Sequence, residues 1–422
     1  MKAATASTNH TRKAIFDQLF ASYLGPAFAI QTWDGWLWNS SQNKSPDCTI
    51  VFRTPGALRH LFFDPNEWSL GQAFIDGDLD VQGDLVEAFH IAEHIFNQPV
   101  SFKNRQLQKI GAIFLGIQQR LNRGTEHSQS RDRRSIAFHY DQPAEFYLPW
   151  LGPSLVYSCA YFHHDHDCLD IAQENKMDHI CRKLRLKPEE RFLDIGCGWG
   201  SLILHAASRY QAIAHGITLS KMQAATAIER ICHADLQNRC FVELRDYRAL
   251  AGAREIFDKI ASVGMFEHVG HKMLPLYFRI AHSALKRGGV FLNHGIARAN
   301  SKQPRKLSFI NRYVFPDGEL VPISKTLQVA EQAGFEVRDV ENLREHYAKT
   351  LRLWVKSLEE HAEATIHYAP KSIYRTWKLY MAGSAAAFER GDLGLYQILL
   401  SRPEHGKSYM PLTRADWYDA LS

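Results

Sequence analysis

No two cysteines of this chain stand in C-x-x-C spacing, and the seven present are an odd number spread from Cys48 to Cys240. That excludes a disulfide framework and the usual zinc-ligand pattern, and it points to a reducing compartment. The first ten residues, MKAATASTNH, hold no continuous apolar stretch, so no secretory signal is expected. No run approaches the ~18 apolar residues of a membrane span. Internal repeats and low-complexity tracts are also missing, which sets aside solenoids and disordered arrays. Neither sign of charge dominates: 50 Lys and Arg stand against 45 Asp and Glu, a net +5. Such a balance permits an anionic partner without requiring one, and no nucleic-acid partner is expected.

Aromatic residues are plentiful, at 12% of 422 residues, with 9 Trp, 16 Tyr and 24 Phe. The length suggests two or three domains at ~150 residues each. Thr49 to Arg53 reads as a strand, and Leu70 to Gly83 reads as short strands joined by glycine turns. Asp84 to Phe96 reads as a helix capped by Asp84, with Leu85, Phe89, Ala92 and Phe96 on one stripe. Residues 101 to 123 give another helical pattern, inside a stretch from 101 to 135 with eight Lys or Arg and two acids. Basic residues beside an apolar stripe suit an anionic lipid surface. A solvated face followed by a linker is the plainer reading of the same residues. The expected division is a small α+β domain over 1–120, a linker over 121–135, and a larger domain over 136–422.

From about residue 135 strands alternate with helices, which predicts an α/β fold with a parallel sheet covered on both faces. Strands are expected at 191–195, 212–219, 240–244, 256–263, 289–295, 335–340 and 395–401. The first of them ends in Asp194-Ile-Gly196-Cys-Gly198-Trp-Gly200 and leads into a helix. Glycines there let a ligand approach the backbone, and the helix offers free N–H groups. A nicotinamide site would place an acid ~20 residues on for the ribose. The segment Gly216-Ile-Thr218-Leu219-Ser220 has none. A nucleoside ligand with a sulfonium centre, S-adenosylmethionine, fits better, with Asp194 able to orient a cationic group of it. Cys197 reads as a small packing residue. The run His163-His164-Asp165-His166-Asp167 has metal-ligand residue types, but neighbours in sequence rarely converge on one ion, and no metal is expected.

The chain resembles the cyclopropane-fatty-acid synthase family of S-adenosylmethionine-dependent methyltransferases, which includes the mycolic acid cyclopropane synthases. The motifs are His139-Tyr140-Asp141, Tyr157 to Phe162, Leu193 to Gly200, Gly216 to Ser220 with Gln223, Asp246-Tyr247-Arg248, and Ser262 to Gly270 (SVGMFEHVG). They cover roughly two thirds of the chain. The resemblance implies a class I methyltransferase domain, Rossmann-like, with a mostly parallel seven-stranded sheet behind a smaller N-terminal α+β domain. It implies cofactor contacts from Tyr157, Ser158, Thr218, Leu219, Gln223, Asp246, Tyr247 and Arg248, beside Asp194, Gly196, Gly198 and Gly200 of the glycine turn.

It further implies transfer of a methylene group to the cis double bond of an unsaturated phospholipid acyl chain, giving a cyclopropane through a carbocation. A bound bicarbonate would take the proton, held at Cys159, Glu267, His294, Ile296 and Tyr347. Aromatic faces attract cations, and Tyr161, Phe266, Tyr277, Phe315, Tyr347 and Trp354 are candidates. The cysteine usage and the missing signal predict a cytoplasmic protein, which would reach its lipid from the inner membrane face as a peripheral protein, and the resemblance implies a homodimer. Three departures leave a methyl-branched product as the alternative, and a non-catalytic lipid-binding protein is a separate one, against which the intact set Gly196, Gly198, Glu267, His294 and Tyr347 stands. Gln142-Pro143-Ala144 follows the His-Tyr-Asp motif where an Asn is frequent, Phe162 stands where Trp is common, and Ser384 where some members carry Cys.

Overall fold

The computed structural model describes residues 2–58, 67–96, 142–299 and 319–418. The chain forms two compact units: Met1–Gly124 with Arg305–Val314 and Pro370–Ala386, and Thr125–Pro304 with Phe315–Ala369 and Ala387–Ser422. The patterns at 101–135, the His139-Tyr140-Asp141 motif and Phe315 lie outside the described residues.

In the first unit the helix α1 (Lys2–Leu19) precedes strands β1 (Phe28–Gln31), β2 (Leu37–Asn39) and β3 (Cys48–Phe52). Helix α2 (Glu67–Asp76), strand β4 (Leu79–Gly83) and helix α3 (Leu85–Phe96) follow. The strands pair in the order β2-β1-β3-β4. Leu70 to Asp76 is thus helical, contrary to the strand expectation. Gly71, Ala73 and Phe74 are buried on one side of α2, and burial of that face outweighs the helix cost of Gly71, about 1 kcal/mol. The turn itself falls at Gly77, whose φ of 85° suits the residue just past a helix end. Asp84 caps α3 as expected, accepting from the Val86 N–H at 2.8 Å. The buried stripe is Leu85, Val86, Ile91 and Ile95, rotated from the expected one.

Arg375, from the 370–386 segment, ties this unit together. Its guanidinium lies 4.1 Å from the Phe74 ring and donates to the carbonyls of Phe74 and Leu79 and to Asp80 Oδ1. Arg375→Met keeps the stem but orphans two carbonyls. The expected result is a loss of about 2 kcal/mol, read as a lower urea midpoint.

The second unit opens with α4 (Ala144–Leu151) and α5 (Leu169–Leu184). Then come β5 (Arg191–Ile195), α6 (Ser201–Arg209), β6 (Ile213–Thr218), α7 (Lys221–His233) and β7 (Cys240–Leu244). After β8 (Phe257–Val263) follow α8 (Leu274–Ala284), β9 (Leu285–Arg298), α9 (Ile323–Gln332), β10 (Glu336–Asn342) and α10 (Arg344–Glu360). Helix α11 (Ala362–Tyr368), strand β11 (Leu393–Ser401) and helix α13 (Ala415–Tyr418) complete this unit's described order; helix α12 (Lys371–Glu389), between α11 and β11 in sequence, belongs up to Ala386 to the first unit. The seven strands run β10-β11-β9-β8-β5-β6-β7, and all neighbours are parallel except those of β11.

Side chains alternate between faces along each inner strand. Leu193, Ile260, Phe291 and Ile398 join one buried cluster with Tyr277 and Phe278 of α8. Their neighbours Phe192, Ala261, Leu292 and Leu399 join the other, with Ile180 of α5 and Ile203 of α6. Both faces are covered, which is why these strands read as continuous apolar runs. The chain leaves β5 toward β6 and β7, then returns to β8 on the other side of β5. This reversal opens a crevice at the carboxyl ends of β5 and β8, where open α/β sheets bind ligands.

Candidate active site

A cavity fills that crevice, and the glycine turn forms its floor. Gly196 has φ 86°, and a Cβ there would meet Met265 at 2.7 Å, so only glycine fits. Gly198 has φ 54° and nothing within 4 Å of a built Cβ, leaving its backbone open to a ligand. Gly200 does not line the cavity. It starts α6, where a Cβ would press on Ala227 at 3.0 Å, so its part is helix packing. The Cys197 thiol packs against Gly216.

Tyr157, Ser158, Asp194, Gly196, Gly198, Thr218, Leu219, Gln223, Tyr247 and Arg248 all line the cavity. Thr218 donates to Gln223 Oε1 at 2.8 Å, and Ser220 caps α7 through the Gln223 N–H. These bonds fix the rim from β6 into α7. Asp246 lies outside the lining. Its carboxylate caps the short turn Tyr247–Leu250 and receives Arg248, which orients Tyr247 and Arg248 at the wall.

Asp194 is buried, and its Oδ1 has no hydrogen-bond partner among the described residues. Burial pushes its pKa up to about 7, against the opposing pull of Lys176. Lys176, on α5, is equally buried and lines the same cavity. Burial brings its pKa down to about 8. It donates to Ser158 Oγ at 2.9 Å, while Gln173, three residues earlier, donates to the Ser158 carbonyl at 2.9 Å. Helix α5 therefore holds the Tyr157–Ser158 wall. Sequence reasoning passed over Lys176, although a lysine on the apolar stripe of a helix is a usable signal, because buried charges need partners. A buried carboxyl group with one oxygen unpartnered among the described residues, beside a buried ammonium, suits a zwitterionic amino-acid group, and open glycine backbone suits its close approach.

The five expected catalytic positions lie outside this lining, in two neighbouring groups. Register pairs Val263 of β8 with His294 of β9, and the Gly264 N–H bonds the His294 carbonyl at 3.0 Å. Glu267 follows in the turn after β8 and accepts from the Ile296 N–H at 2.7 Å. Its other oxygen, Oε2, is buried with no partner among the described residues. Burial drives the Glu267 pKa up to about 7. His294 is buried too, and desolvation, aided by the charges of Lys176 and Lys183, brings its pKa down to about 3. Its Nε2 has no partner among the described residues.

The second group gathers at the start of α10. The Leu343 carbonyl accepts the Tyr347 N–H at 3.0 Å and lies 4.0 Å from the Cys159 thiol. Thr350 and His346 accept the N–H groups of Ala160 and Phe162, fastening this segment to α10. Cys159 is fully buried, and desolvation raises its pKa, so it stays a thiol. Phe266, Tyr277 and Trp354 are packed in the core, with the Tyr277 hydroxyl on Asn293 at 2.9 Å. Tyr161 stacks between His179 and His346, 4.2 and 4.8 Å away. The rings of His164 and His166 stack at 5.4 Å, and Asp167 accepts the N–H groups of His163 and His164. That run of acids and histidines is thus an ordinary polar turn.

A model of the mycolic acid cyclopropane synthetase family matches residues 127–398. A probable fatty acid methyltransferase of Pseudomonas putida is 39% identical over 394 residues, covering 90% of this chain and 95% of that protein. Among solved structures, the cyclopropane synthase MmaA2 from Mycobacterium tuberculosis is 32% identical with a TM-score of 0.61, covering 66% of this chain and 99% of its own. The mycolic acid cyclopropane synthase CmaA1, complexed with SAH and CTAB, is 33% identical with a TM-score of 0.60, covering 64% and 97%.

Proposed function

The chain belongs to the mycolic acid cyclopropane synthetase family, and from that membership we propose that it adds a methylene group to the cis double bond of unsaturated phospholipid acyl chains. It is an S-adenosylmethionine-dependent methyltransferase of the cyclopropane synthase type. The observation that carries the finer reading is the pair of buried polar atoms, Glu267 Oε2 and His294 Nε2, at adjoining strand ends and without partners among the described residues. A methyl transfer alone needs no such pair.

S-adenosylmethionine supplies an electrophilic methyl. The glycine turn, Asp194 and Lys176 hold its amino-acid end, and Thr218, Gln223 and Tyr247 hold its nucleoside. The alkene π pair would form the new C–C bond as the S–CH₃ bond breaks, its electron pair staying with the sulfur of the departing S-adenosylhomocysteine and the neighbouring carbon being left cationic. Loss of a proton from the added methyl frees the C–H pair that closes the ring. Ionised, Glu267 stabilises that cation, and burial makes its charge count for more than in water. Glu267, His294, the Ile296 backbone, Cys159 and Tyr347 would hold a bicarbonate ion, a weakly basic and poorly nucleophilic oxyanion suited to that proton. A neutral His294 can donate to that oxyanion, and an ionised Glu267 can accept the bicarbonate's own O–H.

The second reading is a methyl-branched product, formed by loss of a different proton. It is favoured by the Pseudomonas protein, which bears the name of a fatty acid methyltransferase and is alike over nine tenths of this chain. No helix among the described residues is long and apolar enough to cross a membrane, so access to the chains is proposed from the bilayer surface.

The test is incubation with S-adenosylmethionine and vesicles of dioleoyl phospholipid, followed by fatty-acid mass and proton spectra. A gain of one CH₂ with high-field ring protons is expected. A branched alkene would select the second reading, and an unconsumed cofactor would overturn both. A further expected outcome concerns Lys176→Met. Losing a charged hydrogen-bonding group at the cavity wall is worth about 1.5–3 kcal/mol. SAH should therefore bind roughly 10- to 100-fold more weakly by titration calorimetry. Unchanged affinity would remove Lys176 from the site.

A further inference from the structure

We propose that Gln397 is a positioning residue that keeps His294 neutral with its proton on Nε2, so that His294 presents a hydrogen-bond donor to an oxyanion. Register sets Gln397 of β11 directly beside His294 of β9, with Glu341 of β10 on its other side. Both Gln397 and His294 are almost wholly buried. The amide nitrogen of Gln397 lies 3.2 Å from His294 Nδ1. An amide nitrogen only donates, so Nδ1 must accept, and a neutral imidazole then carries its hydrogen on Nε2.

The opposite amide orientation would let Oε1 accept from a protonated Nδ1. It would also bury an NH₂ group with both hydrogens unpaired. The observed orientation pairs one of the two N–H bonds and leaves the other, with Oε1, unpartnered among the described residues, one orphan donor fewer than the flipped form. Buried orphan acceptors are better tolerated than buried orphan donors, so the observed orientation is favoured. With the hydrogen on Nε2, the unpartnered atom of His294 is a donor, and the group it suits is an acceptor such as a carboxylate-like or carbonate-like oxyanion. A lone cation or a second donor is disfavoured there. The tautomer stands on geometry alone. Its consequence for turnover rests on the oxyanion reading given above.

The test is nitrogen NMR of the full-length protein labelled with ¹⁵N-histidine. The His294 signals are identified by their absence from His294→Gln, or by sequential backbone assignment should that variant not fold. The expected wild-type spectrum has a pyridine-type shift at Nδ1 and a pyrrole-type shift at Nε2. In Gln397→Glu the carboxylate accepts from Nδ1–H, so the two shifts should exchange. Turnover should fall by about 10- to 100-fold, as for other groups that orient an active imidazole, while Gln397→Met should lose less. A change in stability alone would move neither shift. A wild-type pyrrole-type signal at Nδ1 overturns the proposal, as does a Gln397→Glu spectrum with the wild-type pattern. Exchanged shifts with normal turnover would keep the tautomer and refute the oxyanion reading of His294.

Discussion

Glu267→Gln is expected to lower product formation by at least about 10²-fold while SAH binding stays within a few-fold of wild type. The substitution is nearly isosteric. The amide oxygen still accepts the Ile296 N–H, a bond that anchors Glu267 Oε1 in the native protein. The turn after β8 should therefore keep its shape. Only the second oxygen changes, from an ionisable acceptor to an NH₂ donor, and that oxygen is the buried, unpartnered one. Glu267 does not line the cavity of the glycine turn, so the cofactor has no direct contact to lose.

The pH profile supplies an independent check. Burial places the Glu267 pKa at about 7, above the ordinary value near 4.3. The carboxyl is neutral below that and ionised above it. A step that needs its charge beside a cation gains rate as pH rises through about 7. The residual activity of Glu267→Gln should lack that limb. Turnover within threefold of wild type would remove Glu267 from the chemistry, whatever the product.

The residues legible in sequence are those whose role is local. Asp194 to Gly200 announces itself because the turn, the close approach and the helix start fall within seven residues. The inner strands are legible because both faces are covered and the runs are apolar. Leu70 to Asp76 was not, because Gly71 looks like a turn until the burial of Ala73 and Phe74 is known. Gly200 and Asp246 belong to the right motifs, yet one packs on Ala227 and the other caps a turn. That difference lies in a few ångströms that spacing does not encode. Lys176 and Gln397 act on motif residues from α5 and β11, 18 residues and 103 residues away in sequence. The first pair exists only because α5 packs back on the segment before it, and the second only through the order of strands in the sheet. The basic segment from 101 to 135, where a lipid surface was expected, lies outside the described residues.

The same long-range pairing gives the largest stability effect expected in this chain. Lys183 of α5 is buried, and its ammonium bonds Glu341 Oε2 from β10, with Asp339 a further 3.6 Å neighbour. His179 shares that carboxylate at 3.0 Å, and the Tyr161 hydroxyl reaches Oε1 at 3.5 Å. Burial alone would raise the Glu341 pKa, but the His179 bond and the Lys183 charge outweigh it and hold it at about 2. Glu341→Leu removes the nearer of the two carboxylates facing a buried ammonium and leaves only Asp339 at 3.6 Å, so the cost should come close to that of a fully stranded charge, about 3–5 kcal/mol. The expected readout is a urea midpoint well below wild type at pH 7. Lys183→Met in the same chain should restore much of the loss, because an apolar pair of similar volume needs no counter-charge. Equal losses in the single and double variants would mean that packing, and not charge, is what Glu341 supplies. The effect should also depend on pH in a fixed direction. The folded pKa is depressed, so the stabilisation is complete above the unfolded value near 4.3 and is lost as pH falls toward about 2. The gap between wild type and Glu341→Leu should therefore narrow on acidification over that window. A gap that stays constant from pH 7 to pH 2.5 would show that the ion pair contributes nothing to the folded state.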